Sequence, residues 1–406
     1  MKKTFRRIIS ILMTLVVLAG LSTTAFATGE YNMTTQALKF NTNGKFRIMH
    51  VTDTHLEDYN VDDSVWLIAQ ACDREKPDLV VVTGDNVLNC DNADETKGYI
   101  DKLMNVFQSR NIPTAITFGN HDSEVGAMSR EELMAYYNTY SCSVSIDDGP
   151  SISGCGTYNI PVMASDGSKV KFNVWVFDSN DYDGNGHYGN VKADQIEWYK
   201  QTSDALKAAN GGEVVYSLAF QHIIVPEVYD ALKKVERKKL FSYEHIINKG
   251  EYYMFDPDRV NHGTLTETPC SGGENDGQFD AMVEKGDILG IFTGHDHSNA
   301  FGVEYKGIEI GNTVSSRYNR DTFSSQYGYR IFDIDENDTS KYETRCEHWY
   351  DMFSLKDINA LRNAGDTYGY KLALDVSFRG FFKKNTDKIG RVLTAIFSGR
   401  QISYPD

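Results

Sequence analysis

The sequence predicts an α/β fold built around a parallel sheet. Short apolar runs, long enough for buried strands, alternate with longer segments whose apolar residues recur at helical spacing. Near the start of the chain three strands follow one another with a helix between each pair, and right-handed crossovers of this kind place helices against a parallel sheet. A hydrophobic content of 41% supplies enough apolar surface for a large core.

The predicted elements follow this order along the chain. The first strand, FRIMHVTD at 46–53, precedes a helix over 64–75. A strand at 77–86, a helix over 97–110 and a strand at 112–122 repeat the unit. Later segments with the same signatures are the strands at 170–179, 214–222, 286–297 and 305–312 and the helix over 193–210.

Two internal segments and the tail depart from this order. Residues 123–169 predict a Tyr-rich helix and a Gly/Ser-rich hairpin, and residues 226–280 predict a long, polar, irregular segment. Residues 351–406 predict a C-terminal extension with a basic amphipathic helix, which follows a main domain at 28–350. The extension is expected either to contact a membrane surface or the cell envelope, or to pack on the acidic flank of the domain.

The first 27 residues carry the pattern of a secretory signal peptide. A basic segment, MKKTFRRIIS, overlaps an apolar run from Ile8 to Leu21, and AFA at 25–27 offers small residues for cleavage. The apolar run is shorter than the roughly 20 residues that a membrane span needs. Cleavage after Ala27 is therefore favoured over a membrane anchor, and the mature chain is expected to be secreted or extracytoplasmic.

The chain is strongly acidic, with a net charge of −16. Removal of residues 1–27 takes away four basic residues and no acid, which brings the net charge to −20. A surface of this sign excludes a nucleic-acid coat protein, which needs a basic face. An anionic substrate would require a local positive centre to overcome the repulsion.

All six cysteines follow residue 27, and an even number permits disulfides outside the cytoplasm. Cys142 and Cys155 flank a Gly/Pro/Ser-rich turn and form the nearest sensible pair. The spacings match no zinc motif. Buried thiols remain the alternative to disulfides.

Side chains able to bind a metal collect where the predicted strands end. These endings are DTH at 53–55, GDN at 84–86, GNHD at 119–122, QH at 221–222 and GHDH at 294–297. Ligands of open α/β sheets bind beyond the carboxyl ends of strands, so the five endings are expected to meet in one metal site. Residues two apart in an extended chain point the same way. His295 and His297 could therefore each reach a different metal of a pair roughly 3.5–4 Å apart.

This ordered set resembles the calcineurin-like metallophosphoesterases, whose pattern is D-x-H, G-D-x-x, G-N-H-D/E, a lone His and G-H-x-H. The resemblance implies an α/β, four-layer α/β/β/α sandwich of two mixed sheets, with a dinuclear centre at one edge and residues 28–350 as the catalytic domain. It implies that metal one is bound by Asp53, His55 and His297. It implies that metal two is bound by Asn120, His222 and His295, with Asp85 bridging both.

The chain is also similar to the purple-acid-phosphatase-like subgroup, through DQIEWY at 194–199 and the segment at 276–301. It departs from the purple enzymes at two positions: His55 stands where they have Gly, and Leu88 stands where they have the iron-binding tyrosine. The expected cofactors are therefore two divalent ions. The absence of thiolates from the set leaves Mn, Fe and Zn open.

The resemblance implies a secreted phosphoesterase that hydrolyses phosphate esters through a metal-bridging hydroxide. His121 resembles the family's general acid; the alternative is that it caps the loop structurally. Asn86, His187 and Arg317 are candidates for contact with the substrate. Solvent exposure is the favoured alternative for His187, and an ion pair would equally explain Arg317. The loop DYDGNG at 181–186 resembles the start of a calcium loop, but Lys192 stands where a bidentate Glu is required, which excludes calcium there.

Two other functions stay open at this point. A non-catalytic cell-envelope binding protein could retain the fold and use its basic tail, although every expected ligand type is present. A metal-storage or sensor protein would bind metal without hydrolysis and would leave His121 without a purpose. The sequence does not indicate the natural substrate, the preference for monoesters or diesters, or the oligomeric state.

Overall fold

A computed structural model describes residues 38–124, 127–146, 152–319 and 327–398, including the backbone but not the side chains of 123–124 and 383–398. The molecule is an α/β/β/α sandwich of two large mixed sheets, as the sequence predicts. The predicted signal peptide and its cleavage site lie outside the described residues and stay a prediction.

Sheet one has five strands. Strands β1 (Lys45–Val51), β2 (Leu79–Thr83) and β3 (Thr114–Thr117) are parallel, and β14 (Gly328–Asp335) and β15 (Tyr342–His348) extend the sheet antiparallel beyond β1. The three parallel strands are the strand–helix units predicted near the start of the chain. Their carboxyl ends therefore lie along one edge.

Sheet two has seven strands, with parallel strands at its centre and antiparallel strands at both sides. The parallel strands, in spatial order, are β5 (Val170–Val176), β6 (Ser217–Phe220), β11 (Ile288–Thr293) and β13 (Ile308–Asn312). The antiparallel strands are β4 (Tyr158–Met163), β10 (Val260–Thr264) and β12 (Ala300–Tyr305).

Helices cover the outer faces of both sheets. In chain order they are α1 (Val61–Glu75), α2 (Ala93–Gln108), α3 (His121–Glu124), α4 (Arg130–Tyr137), α5 (Ala193–Ala209), α6 (Val228–Ala231), α7 (Gln278–Lys285), α8 (Leu355–Asn363) and α9 (Thr367–Ser398), with a 3-10 turn at Trp349–Asp351. None of the described helices combines the length and apolar character needed to cross a membrane.

The alternation of side chains along the strands separates three hydrophobic cores. In β2, Val80 and Val82 pack with residues of α1, α2 and α9, whereas Leu79 and Val81 face the core between the sheets. In β6, Leu218 and Phe220 also face that inner core. Its neighbour Ala219 faces the third core, under α5 and α7. Two outer cores and one inner core are what a four-layer sandwich requires.

The segment at 226–280 is more ordered than the sequence predicts. It contains α6, the first three residues of α7, β10 and a small antiparallel sheet of strands β7 (Lys233–Val235), β8 (Tyr243–Glu244) and β9 (Tyr252–Met254). Each of these three strands has at most three residues, too few for alternation to show in the sequence. Tertiary packing, with Tyr253 joining the core under α5 and α7, stabilises them instead.

The first part of the predicted extension packs against the main domain. Met352, Leu372 and Val376 are buried in the core under sheet one. No disulfide joins any of the six cysteines, all of which lie in the described part of the chain. All six cysteines are therefore free thiols in this structure.

Candidate metal centre

The carboxyl ends of five strands, from both sheets, bring the predicted ligands together. Asp53 and His55 follow β1, Asp85 follows β2, Asn120 follows β3, His222 follows β6, and His295 and His297 follow β11. The side chains form two groups whose ligand atoms lie within 4.8 Å of one another. The first group is Asp53, His55 and His297, and the second group is Asp85, His222 and His295.

The atoms of the first group point at a common centre. His55 Nε2 lies 3.1 Å from His297 Nε2 and 3.7 Å from Asp53 Oδ1. His297 Nε2 lies 3.6 Å from the same carboxylate oxygen. Ligand atoms that are each about 2.0–2.2 Å from one cation are separated by distances of this size. The group could therefore hold a cation without rearrangement.

The second group lies directly beside the first. His222 Nε2 is 3.2 Å from Asp85 Oδ2, and this oxygen is also 3.7 Å from His55 Nε2. Asp85 therefore contacts both groups, which is the position of a bridging ligand. As the two-residue spacing predicts, His295 belongs to the second group and His297 to the first. Asp296 between them is buried and accepts hydrogen bonds from Cys270 N and Asn299 Nδ2 instead.

In each carboxylate, one oxygen accepts hydrogen bonds from the protein and the other faces the centre. Asp53 Oδ2 accepts from Thr52 Oγ1 and from the backbone N–H of His295, and Asp85 Oδ1 accepts from the backbone N–H of His121. Asp53 Oδ1 and Asp85 Oδ2 are buried and accept no hydrogen bond from any described residue. Leaving buried acceptors unsatisfied is costly, so their arrangement around one space fits a bound cation.

The neutral ligands are oriented in the same way. His222 Nδ1 donates to the backbone oxygen of Thr83 at 2.7 Å, which leaves the Nε2 lone pair facing the centre. Asn120 Nδ2 donates to the Tyr182 hydroxyl at 3.2 Å. Three further buried atoms, Asn120 Oδ1, His222 Nε2 and His295 Nε2, make no hydrogen bond to the described residues. The complete donor set of oxygen and imidazole nitrogen suits two divalent cations.

The backbone at the site is strained. Asp53, His55, Asp85 and His295 have φ values of 50°, 39°, 51° and 67°, the left-handed region that few non-glycine residues adopt. Such conformations cost free energy and persist where surrounding contacts over-determine them. Four of the seven predicted ligands share this feature, which indicates that the loops are shaped for the site rather than for stability.

The glycines of the motifs are required by close packing around the ligands. A Cβ on Gly119 would overlap Asp85 Oδ1 and lie 2.7 Å from His222 Nε2, and a Cβ on Gly294 would overlap Thr52 and Asp53. Gly84 has a φ of 85° and abuts the backbone of Gly119. Gly119 and Gly294 therefore admit neighbouring ligands, and Gly84 admits the backbone of the loop after β3.

Two supporting interactions were not predicted from the sequence. The buried carboxylate of Asp122 accepts from the backbone N–H groups of Asp85, Asn86 and Gly119, which ties the loop after β2 to the loop after β3. The Arg130 guanidinium binds both oxygens of Asp178 at 2.7 Å and donates to the Gly119 oxygen. The GNHD motif contains Asp122, but no local signal pairs Arg130 with Asp178.

The buried carboxylates and imidazoles of the site shift one another's pKa values strongly. Burial alone would lower the pKa of His222, but the carboxylates of Asp85 and Asp53 raise it to about 10. Burial alone would raise the pKa of each carboxyl, but the neighbouring His222 holds both well below their usual range. Burial and His222 lower the pKa of His295 to about 3. The carboxylates of Asp53 and Asp85 therefore stabilise positive charge beside them, whereas burial keeps His295 neutral.

His121 lies beside the groups without belonging to either. It is the first residue of α3, and its ring centroid is 5.5 Å from that of His55. It is partly exposed, whereas His55 and His222 are buried. Its side chain can therefore face both the centre and a bound molecule, which is the position a general acid needs.

The residues predicted to contact the substrate have different surroundings. Asn86 is fully buried, next to Asp85. Arg317 lies 3.6 Å from Glu57 and donates to the Tyr59 hydroxyl, so the ion-pair alternative describes it. His187 is exposed, and its Nδ1 bonds Asp183 at 2.9 Å. Contact of these residues with a substrate stays a prediction.

The loop that carries His187 approaches the centre through two tyrosines instead. The Tyr188 ring meets the His295 ring edge-on at 4.2 Å, and Tyr182 stacks on Tyr188 at 5.8 Å. The sequence pattern assigned no role to Tyr182. Only the fold shows its contact with Asn120.

Comparison with known proteins agrees with this geometry. The sequence profile of the family described as calcineurin-like phosphoesterase matches residues 46–299, a span that includes all seven predicted ligands and more than half of the chain. The chain therefore belongs to the calcineurin-like phosphoesterase family.

Relatives agree with the purple-acid-phosphatase-like subgroup. "Probable inactive purple acid phosphatase 14" of Arabidopsis thaliana is 28% identical over 351 residues, covering 76% of this chain and 80% of that protein. "Probable inactive purple acid phosphatase 29" of the same plant is 27% identical over 306 residues, covering 67% and 72%. "Phosphatase DCR2" of Saccharomyces cerevisiae is 28% identical over 218 residues, covering 47% and 37%.

Among solved structures, a dimetal phosphatase from Danio rerio is similar in fold. The superposition has a TM-score of 0.45 at 12% sequence identity and covers 71% of this chain and 92% of the other.

Proposed function

We propose that the protein is a two-metal phosphoesterase that hydrolyses phosphate esters. The observation that carries the proposal is the completeness of the donor set. All seven ligands meet at one edge of the two sheets, and five of their atoms are buried and make no hydrogen bond to the described residues. A binding protein that only retained the fold would have no need to keep every one of them.

The chain's own residues account for the steps of hydrolysis. When bound, two divalent cations supply Lewis acidity and lower the pKa of water. Their four positive charges exceed the two negative charges of Asp53 and Asp85, so the centre attracts phosphate despite the acidic surface. Asn120 binds through a neutral carbonyl and preserves this excess. His121, beside the centre, donates the proton that the leaving alkoxide requires.

The alternative is a non-catalytic protein that binds the cell envelope. Two of the relatives described above are named probable inactive purple acid phosphatases. Loss of purple-type activity is expected here as well, because Leu88 stands where the purple enzymes have an iron-binding tyrosine. Without that tyrosine, the tyrosine–iron chemistry of the purple enzymes is not possible. It removes none of the seven ligands proposed for divalent ions.

The test is hydrolysis by chelator-treated protein reloaded with Mn²⁺, Fe²⁺ or Zn²⁺ singly. Matched aryl phosphate monoester and bis-aryl diester substrates would show which ester class is preferred. We expect no turnover without metal and restored turnover with at least one ion. Binding of two ions without turnover on either substrate would contradict the proposal and favour the envelope-binding alternative.

A further inference from the structure

The loop at 181–189 lies against the second metal group. Tyr182 accepts a hydrogen bond from Asn120 Nδ2 at 3.2 Å, and its side chain remains 39% exposed. The loop is internally braced, because Asp183 Oδ1 accepts from the backbone N–H groups of Asn185 and His187. Tyr182 is therefore held in place before any ligand binds.

We infer that Tyr182 is a positioning residue for the second metal, an inference that rests on the proposed function. An amide can present either its oxygen or its nitrogen, and only the oxygen binds a cation. Because the Tyr182 hydroxyl accepts from Asn120 Nδ2, the nitrogen side of the amide is occupied and Oδ1 is left available to a cation. This oxygen is buried and makes no hydrogen bond to the described residues.

The same contact gives Tyr182 a second role. The ring stacks at 26° on Tyr188, which in turn contacts His295, so an aromatic surface adjoins the second metal group. An exposed aromatic face at this place is suited to the alcohol portion of the ester. The hydroxyl thus orients the metal ligand Asn120, and the ring contacts the substrate.

Two substitutions separate these roles. Tyr182→Phe removes the hydroxyl and keeps the ring, and we expect the second equivalent of Mn²⁺ to bind about 10- to 100-fold more weakly while the first is unchanged. Tyr182→Leu should weaken the second ion equally and also raise KM for aryl esters. Metal affinity is measured by competition with a chromogenic chelator. Tyr305→Phe, at the end of β12 far from His297, is the matched control.

The outcomes distinguish this inference from the proposed function. Weaker second-metal binding in Tyr182→Phe supports the positioning role even if the reloaded wild-type protein hydrolyses nothing. Unchanged affinity for both ions in Tyr182→Phe would overturn the positioning role whatever the activity. An unchanged KM in Tyr182→Leu would overturn the role of the ring.

A separate observation concerns helix α9. Its first half is docked: Leu372, Ala373 and Val376 are buried, and the Tyr318 hydroxyl donates to Asp375 Oδ2 at 2.8 Å. A Cβ on Gly380 would overlap Tyr350, so the helix also meets the 3-10 turn closely. Of the two alternatives given for the extension, packing on the domain therefore describes this half of the helix.

Beyond this docked half, the helix presents aromatic side chains to solvent. Phe378, Phe381 and Phe382 are 61%, 64% and 51% exposed, and their rings contact one another. In the sequence, basic residues follow at once with Lys383 and Lys384, and the apolar positions continue at 389, 392, 393, 396 and 397. At about 100° per residue, all these apolar positions fall within roughly half of the helix circumference.

The geometry points to the surface of an anionic bilayer as the partner of this helix. An apolar face with phenylalanines and a polar face with lysines and arginines is the pattern of helices that lie in the membrane interface. From 375 to 406 the chain carries six basic and three acidic residues, whereas the whole chain has a net charge of −16. This end of the molecule is therefore attracted to an anionic surface despite the acidic charge of the whole chain.

The test is sedimentation of the full mature chain with phosphatidylglycerol–phosphatidylcholine vesicles. We expect binding that weakens in high salt and that falls at least about tenfold when Phe378, Phe381 and Phe382 are all replaced by Ser. Replacement of the exposed Leu355, at the start of α8, by Ser is the control. Undiminished binding by the triple variant would overturn the proposal. So would a dimer in light scattering that the triple variant loses, because the face would then bind a second copy.

Discussion

Replacement of Asp85 by Asn should reduce kcat/KM by at least about a thousandfold, because a single oxygen of this carboxylate lies beside the imidazole nitrogens of both metal groups. Its Oδ2 lies 3.2 Å from His222 Nε2 and 3.7 Å from His55 Nε2. Asn keeps the shape and the acceptor for His121 N but removes the charge that two cations share. The measurements are turnover after metal loading and metal content by mass spectrometry.

The same variant should lose the stabilisation that metal gives. Ligands that bind only the folded state raise its stability by mass action, so the wild-type melting temperature should rise with added Mn²⁺ and that of Asp85→Asn should rise far less. Asp287→Asn is the control, because this buried carboxylate binds Tyr199 and Ser203 at the opposite end of β11. Normal metal content and turnover in Asp85→Asn would contradict the bridging role.

Replacement of His121 by Ala should lower kcat by about 100- to 10,000-fold while both metals remain bound. His121 lies outside both groups, so its loss removes a proton donor and leaves the ligands in place. The decrease should be large for alkyl phosphates, whose leaving alkoxide needs a proton. It should be small for nitrophenyl phosphates, whose leaving group is stable as an anion.

How strongly the decrease in kcat depends on the leaving group distinguishes a catalytic role of His121 from a structural one. If His121 only caps the loop after β3, both substrate types should slow equally, and metal content should fall because the neighbouring Asn120 would shift. His262→Ala is the control, because His262 binds Glu309 on β13, within sheet two. An equal loss on both substrates would therefore assign His121 a structural role.

The ligand set was accessible from the sequence because it depends on two local signals. Buried strands are recognisable as apolar runs, and the residues that follow them, such as Asp53 after β1 and Asp85 after β2, lie at carboxyl ends by definition. Parallel strands bring their carboxyl ends to one edge. Knowledge of strand order was therefore not needed to expect that these side chains meet.

Other parts of the fold have no such signal. The antiparallel strands β14 and β15 complete sheet one beside β1, although about 277 residues separate β1 from β14 in the chain. The pairing of Arg130 with Asp178 likewise joins residues that only the folded chain brings together. Non-local contacts of this kind leave no periodicity within a window of the sequence.

By itself, the sequence determined the fold class and the chemical character of the centre, because both follow from strand patterns and from residue types at strand ends. The tertiary structure alone decided what surrounds the centre. It placed the Tyr182 hydroxyl on Asn120, paired Arg317 with Glu57, and docked the first half of α9 on the domain. The physical reason is that these contacts depend on how loops from different strands pack against one another, and packing is a property of the folded chain.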